Sequence, residues 1–318
     1  MKTRYLTITL LSTAIVIALG LANGCGQDAG AEGKGKVVIG GKDFTEQKLL
    51  SHMAGALLEN AGFEVEIKGG VGSNVARQAL TNDQTDLYYE YTGTAYVTYH
   101  EQDDSEVMRD PEKVYQWVKE KDAAEEDLAW LERLPFNNTY TLMMRQEQAD
   151  ELGIKSFSDL AAYVRENPDE LGFGVGVEFY DRPDGFKKLI KVYDFKPSAD
   201  SIKKMDSGLT YKALKEKQGV DVAMGFNTDG RIAAFNFISL EDDKQFFPIY
   251  NPAPVVRQAV LSEHQEIQAA LKPLTEVLTT AEMRRLNAEV DIDKGKAKKV
   301  AKDWLREKGL IKADTETE

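Results

Sequence analysis

Residues 36–91 read KVVIGGKDFTEQKLLSHMAGALLENAGFEVEIKGGVGSNVARQALTNDQTDLYYEY, and this stretch decides the fold class. KVVIG (36–40) is a short β-branched run closed by the pair Gly40-Gly41, as expected of a strand. Thr45-Glu46-Gln47 then leads into LLSHMAGALLENAG (49–62), which is apolar at helical spacing and stopped by Gly62. FEVEI (63–67) alternates as a strand does, and Gly69–Asn74 reads as a glycine-rich turn. A helix over VARQALTND (75–83) and a strand over Asp86–Tyr91 complete the series. Strand and helix alternate without internal repeats, which predicts layered α/β architecture built from parallel-type units.

A second series begins after Arg133-Leu134-Pro135. It runs through strands at Tyr140–Met144, Phe173–Val177 and Val220–Met224, with helices near 158–166, 185–193 and 209–217. Pro248, Pro252 and Pro254 punctuate a return at 245–255, and Glu263–Gly309 is helical by periodicity with a break at Pro273. The expected organisation is two α/β lobes, 36–134 plus 246–318 and 135–245. The chain passes between them twice and leaves a ligand cleft.

The first residues are an address. Lys2 and Arg4 precede an uncharged, strongly apolar stretch, and the one cysteine of the chain, Cys25, stands directly after it. Basic start, apolar run and small residues form a signal-peptide pattern over 1–24. The run is also nearly long enough for a retained membrane anchor. Leu21-Ala22-Asn23-Gly24-Cys25 resembles the lipobox of bacterial lipoproteins, in which the cysteine receives a lipid; Ala22 and Asn23 depart from the usual residues. Residues 25–35 are small and polar, a flexible tether. Either reading puts the folded part outside the cytoplasm.

Composition removes several classes. Lys and Arg number 40 against 53 Asp and Glu, a net charge of −13, so the basic face that phosphate neutralisation needs is missing. A single cysteine and three histidines argue against disulfides and cysteine-rich metal sites, and no metal or cofactor is expected. No nucleophile, base and oxyanion site assemble in the sequence, so the chain does not read as an enzyme. The GGVGSN segment fits a tight turn better than a phosphate loop.

Aromatic residues near strand ends and prolines stand out: Tyr88, Tyr89, Tyr91, Tyr140, Phe226, Phe246, Phe247 and Tyr250. Singly, each reads as core. Together, at positions between lobes, they form a box suited to a quaternary ammonium, which donates no hydrogen bond but is attracted by ring faces.

The segments GGKDFTEQ (40–47), QALTNDQTDLYYEYTGTA (78–95), FNNTYTL (136–142), EFYDRPDG (178–185) and LEDDKQFFPIYNPAPVV (240–256) occur in that order. Together they resemble the substrate-binding proteins of glycine betaine/choline/carnitine ABC transporters over about residues 36–310. The resemblance implies the type II periplasmic-binding-protein fold and a monomeric, lipid-anchored receptor. It would deliver an osmoprotective solute to membrane permease subunits. It also implies an aromatic cage of Tyr91, Tyr140, Phe226 and Tyr250, with phenylalanine at 226 where relatives carry tyrosine. Lys42, Thr94 and Arg182 would face the ligand's other end, Lys42 and Arg182 favouring a carboxylate, with Gln47 and Asn138 as weaker contacts. A receptor for proline or another amine on the same fold, or a surface lipoprotein with no transport role, is the alternative.

Overall fold

The computed structural model describes residues 34–312; the apolar leader and Cys25 lie outside the described residues. Ten strands form two mixed sheets of five. The first contains β1 (Lys36–Lys42), β2 (Glu64–Val71), β3 (Leu87–Tyr91), β4 (Leu128–Trp130) and β10 (Pro252–Arg257), in the order β2-β1-β3-β10-β4. The second contains β5 (Tyr140–Arg145), β6 (Phe173–Gly176), β7 (Ile202–Met205), β8 (Val222–Phe226) and β9 (Phe237–Ser239), in the order β7-β6-β8-β5-β9.

Each sheet has three parallel strands, and beside them a strand that has just arrived from the other lobe. β10 pairs antiparallel with β3, and β5 pairs antiparallel with β8. The chain therefore crosses between lobes at 131–139 and again at 240–251, which is the expected two-crossover arrangement. The parallel strands are joined by helices, which cover the sheet faces and bury their apolar stripes. The helix α1 (Thr45–Asn60) packs Leu49, Leu50, Met53, Leu57 and Leu58 into a core shared with Val37, Ile39, Met283, Leu286, Trp304 and Leu305.

Three departures from the sequence reading have clear causes. β2 runs on through Gly69-Gly70-Val71 instead of stopping at Ile67. Gly69 lies so close to Gly41 that an added Cβ would stand 3.4 Å from the Gly41 Cα, and the pairing register shifts between Gly40 and Lys42. The glycines are thus a close strand contact, not a turn alone. Second, Pro252 and Pro254 lie inside an internal strand, where a missing N–H is usually costly. Their carbonyls are the groups in use: the Leu131 N–H donates to the Pro254 oxygen and the Leu134 N–H to the Pro252 oxygen. Third, a helix at Pro111–Glu125 was not apparent from periodicity. It is charge-rich, and Asp110 caps it by accepting from the N–H groups of Glu112 and Lys113.

Just after β3, Gly93 is pressed against the second crossover. A Cβ there would lie 2.9 Å from the Ile249 oxygen, the Pro248 Cγ and the Tyr250 Cδ1. We expect Gly93→Ala to destabilise the protein by about 1–3 kcal/mol, the usual cost of overpacking, in urea unfolding. A Gly208→Ala control, at a position with open space, should change stability little.

Candidate functional site

The parallel strands of both sheets end at the same cleft, where ligands settle in open α/β sheets. β1 delivers Lys42 and, two residues on, Phe44; β3 ends at Tyr91, with Thr94 in the following turn; β8 ends at Phe226. β6 leads into the helical turn Val177–Asp181, which carries Glu178 and Phe179 and is followed by Arg182. The crossovers contribute Asn138 and Tyr140 from one side and Tyr250 from the other. These residues line a cavity of ≈ 310 Å³, together with Ser73, Asp206 and Ser207.

The rings form one connected set. Tyr140 lies opposite Phe226 in the β5–β8 register, with ring centroids 5.1 Å apart. Tyr250 stands edge-on to Tyr140 at 5.5 Å, and Phe179 stacks on Tyr140 at 4.6 Å. Phe44, which the sequence reading did not single out, stacks on Phe226 at 5.3 Å and lies 6.0 Å from Tyr91. Its place in GGKDFTEQ, directly before the helix, was the available signal. All four expected cage residues line the cavity. Tyr88, Tyr89, Phe246 and Phe247 do not; they are buried in the lobe cores.

The polar residues behave differently from the expected carboxylate clamp. The Lys42 ammonium is buried and donates to the Glu90 carboxylate at 2.5 Å. Glu90 also accepts from the hydroxyls of Tyr88 and Tyr99 and from the Tyr91 N–H. Arg182 is held by Asp184 through two hydrogen bonds of 2.7 Å, contacts Glu178 at 3.2 Å, and donates to the Thr94 hydroxyl at 3.3 Å. Both cations are thus matched by carboxylates of the protein itself, which removes the argument that they call for a carboxylate on the ligand. Each also lies over a cage ring, Lys42 5.2 Å from the Tyr91 centroid and Arg182 5.5 Å from that of Tyr140. Gln47 does not reach the cavity: its amide donates to the Tyr89 oxygen and accepts from the Lys42 N–H, bracing β1.

Hydroxyl groups are distributed unevenly. The Tyr91 hydroxyl donates to Glu46 at 2.7 Å, and that of Tyr250 donates to Asp184. The Tyr140 hydroxyl has no hydrogen-bond partner among the described residues. The glycine-rich segment does hold an anion, though an internal one: the Ser73 N–H donates to Glu178 across the cleft at 3.2 Å. Burial pushes the Tyr140 phenol above its usual range, so it stays neutral at ordinary pH. Lining the cavity, Asp43, Glu178 and Asp206 outnumber Lys42 and Arg182, so the site favours a positive guest.

A ring-lined cavity between two α/β lobes joined by paired crossovers is the architecture of a solute-binding receptor. Comparison with known proteins agrees. Residues 35–307 match the family described as the substrate binding domain of ABC-type glycine betaine transport systems, and the chain belongs to that family. The chain is 42% identical to a glycine-betaine-binding protein of Pseudomonas aeruginosa, over 86% of this chain and 88% of that one. It is 34% identical to the glycine betaine-binding protein YehZ of Escherichia coli, over 87% and 92% of the two chains. A crystal structure titled glycine betaine/carnitine/choline ABC transporter superposes with a TM-score of 0.70 at 29% identity, covering 86% of this chain and 99% of the other.

The Lys42–Glu90 pair yields a stability test. Removing one member of a buried ion pair leaves the other charge uncompensated, whereas an apolar pair of similar volume is often tolerated. Glu90→Ala should lower unfolding free energy by about 3–5 kcal/mol in denaturant titrations. The double variant Lys42→Met/Glu90→Leu should recover only part of that loss, because the Tyr88 and Tyr99 hydroxyls and the Tyr91 N–H still lose their acceptor.

Proposed function

We propose that the protein is an extracytoplasmic receptor, anchored by lipid on Cys25, that captures a quaternary ammonium compatible solute for an ABC importer. The observation that carries this reading is the set of ring faces from Tyr91, Tyr140, Phe226 and Tyr250, closed by Phe44, around a cavity whose carboxylates outnumber its cations. A methylated nitrogen is poorly served by hydrogen-bonding groups but well served by such faces. Four faces at about 1–2 kcal/mol each supply roughly 4–8 kcal/mol, close to what micromolar binding needs. Phenylalanine at 226 keeps the face and gives up only a hydroxyl.

The solute needs no chemistry done to it. Capture brings the lobes together, and the joined lobes form the surface that permease subunits read. Family membership and the similarity to betaine-binding relatives support a betaine as the first solute to test. The pairing of Lys42 with Glu90 and of Arg182 with Asp184 favours a second reading, a choline-like cation, because such a guest leaves no carboxylate in search of a partner.

Calorimetric titration and thermal-shift assays with glycine betaine, carnitine, choline, proline and putrescine test this directly, since a ligand held only by the folded state raises the melting temperature. A methylated ammonium should bind and proline and putrescine should not; stabilisation by proline or putrescine alone would overturn the reading. Because the Tyr140 hydroxyl has no partner among the described residues, Tyr140→Phe should change affinity less than about threefold, while Tyr140→Ala should weaken it by about tenfold or more.

A further inference from the structure

Behind the cage, Glu46 in the first turn of α1 is fully enclosed. Its Oε1 accepts from the Tyr91 hydroxyl at 2.7 Å and faces the Asn138 side-chain amide at 2.9 Å. Its Oε2 lies 2.6 Å from the Thr228 hydroxyl, which lies 2.8 Å from the other end of the Asn138 amide. The three residues close a ring that joins the first lobe (Glu46), the crossover (Asn138) and the second lobe (Thr228).

This ring has too few hydrogens if Glu46 is ionised. With the Asn138 oxygen toward Thr228, the one hydroxyl proton of Thr228 cannot serve both that oxygen and Glu46. With the amide turned over, its oxygen faces Glu46 Oε1 and no proton lies between them. Either orientation is satisfied only when the carboxyl itself carries a hydrogen. We propose, on the reading of this cleft as a quaternary ammonium site, that Glu46 is a positioning residue that is protonated when the lobes meet, so that solute capture takes up a proton.

The surroundings agree. Glu46 is pushed up to about 7, first by burial, with the bonds from Thr228, Tyr91, Asn138 and Asn287 pulling the other way. The charged groups nearest it line the adjoining cavity: Asp43 and Lys48 from its own segment, Asp206 after β7, Asp229 and Arg231 after β8, and Asp291 from the helix Thr280–Asp291. Arg231 is already bound to Asp229 and Asp291, and Lys48 to Asp43, so neither of the cations lining this cavity among the described residues is left to hold an ionised Glu46. The other titratable contact, Tyr91, is itself held neutral by burial and by Glu46.

With the lobes apart and the carboxyl in water, it would ionise near the ordinary value of about 4.3. The meeting of the lobes then takes up a proton between about pH 4.5 and pH 7 and is favoured by acid. Affinity should fall up to about tenfold per pH unit across that window and level off above it. The test is calorimetric titration of glycine betaine and choline at about pH 5.5 and about pH 8, in buffers of different ionisation enthalpy. We expect binding at least tenfold tighter at the lower pH, with close to one proton taken up near pH 6. Glu46→Gln, which keeps a neutral donor, should abolish the pH slope while holding affinity near the acid plateau; Glu46→Ala should weaken binding at every pH. Affinity independent of pH with no proton uptake, or a slope that survives in Glu46→Gln, would overturn the proposal. Should Glu46→Gln fail to fold, proton uptake by the unaltered protein decides alone. If no quaternary ammonium binds at any pH, the receptor reading falls instead. Protonation of Glu46 is then read from its carboxyl carbon-13 shift in solute-free protein whose lobes are cross-linked shut, expected to titrate near 7 and contradicted by an ordinary carboxylate value.

Discussion

In each sheet, a strand that has just left the other lobe is paired antiparallel beside three parallel neighbours, and the cleft depends on that pairing. It places Tyr140 across from Phe226, so residues far apart in the chain become side-by-side walls. Parallel strands alone would bring only their own ends to the cleft. The inserted strands add residues from the crossovers, so the cage draws on both lobes and on the connection between them. Its geometry follows from main-chain hydrogen bonds, which are far less adjustable than side-chain rotamers.

The charges around the cleft follow a second logic. Each buried cation near the rings has its own carboxylate, Lys42 with Glu90 and Arg182 with Asp184. Such pairs contribute little net stability once desolvation is counted. What they provide is fixed geometry: Glu90 orients Lys42, two tyrosine hydroxyls and the Tyr91 N–H at once, which locks the end of β3 in place. With the cations satisfied internally, and Glu178 and Asp43 paired with Arg182 and Lys48, the polarity the cleft offers a guest comes chiefly from ring faces and from Asp206.

Much of this was legible in the sequence. The strand–helix alternation over 36–91 and the two passages between lobes needed only periodicity and turn residues, and EYTGT, NNTY, GFNTD and FPIY each held a residue that lines the cavity. What stayed hidden depends on distant partners. Lys42 and Arg182 read as free charges because Glu90, 48 residues away, and Asp184, two residues away, carry no local mark of pairing. Phe44 is not singled out by the sequence, and only the turn after β1 aims it at Phe226. Glu46 reads as the acidic first turn of a helix, and only the fold brings Thr228, 182 residues away, onto it.

The two crossovers are laced to each other. The Asn138 N–H donates to the Tyr250 oxygen, the Asn137 side chain accepts from the Tyr250 N–H, and the Asn251 amide donates to the Phe136 oxygen. Two separate cords would let the halves of the molecule twist and slide independently. A bonded ribbon bends in one plane and resists torsion, so the halves approach along a single arc. Asn138 and Tyr250 ride on that ribbon and belong to neither half, with Tyr140 at its edge. A guest entering this cleft would therefore meet a stationary wall first, and only afterwards the moving jaws.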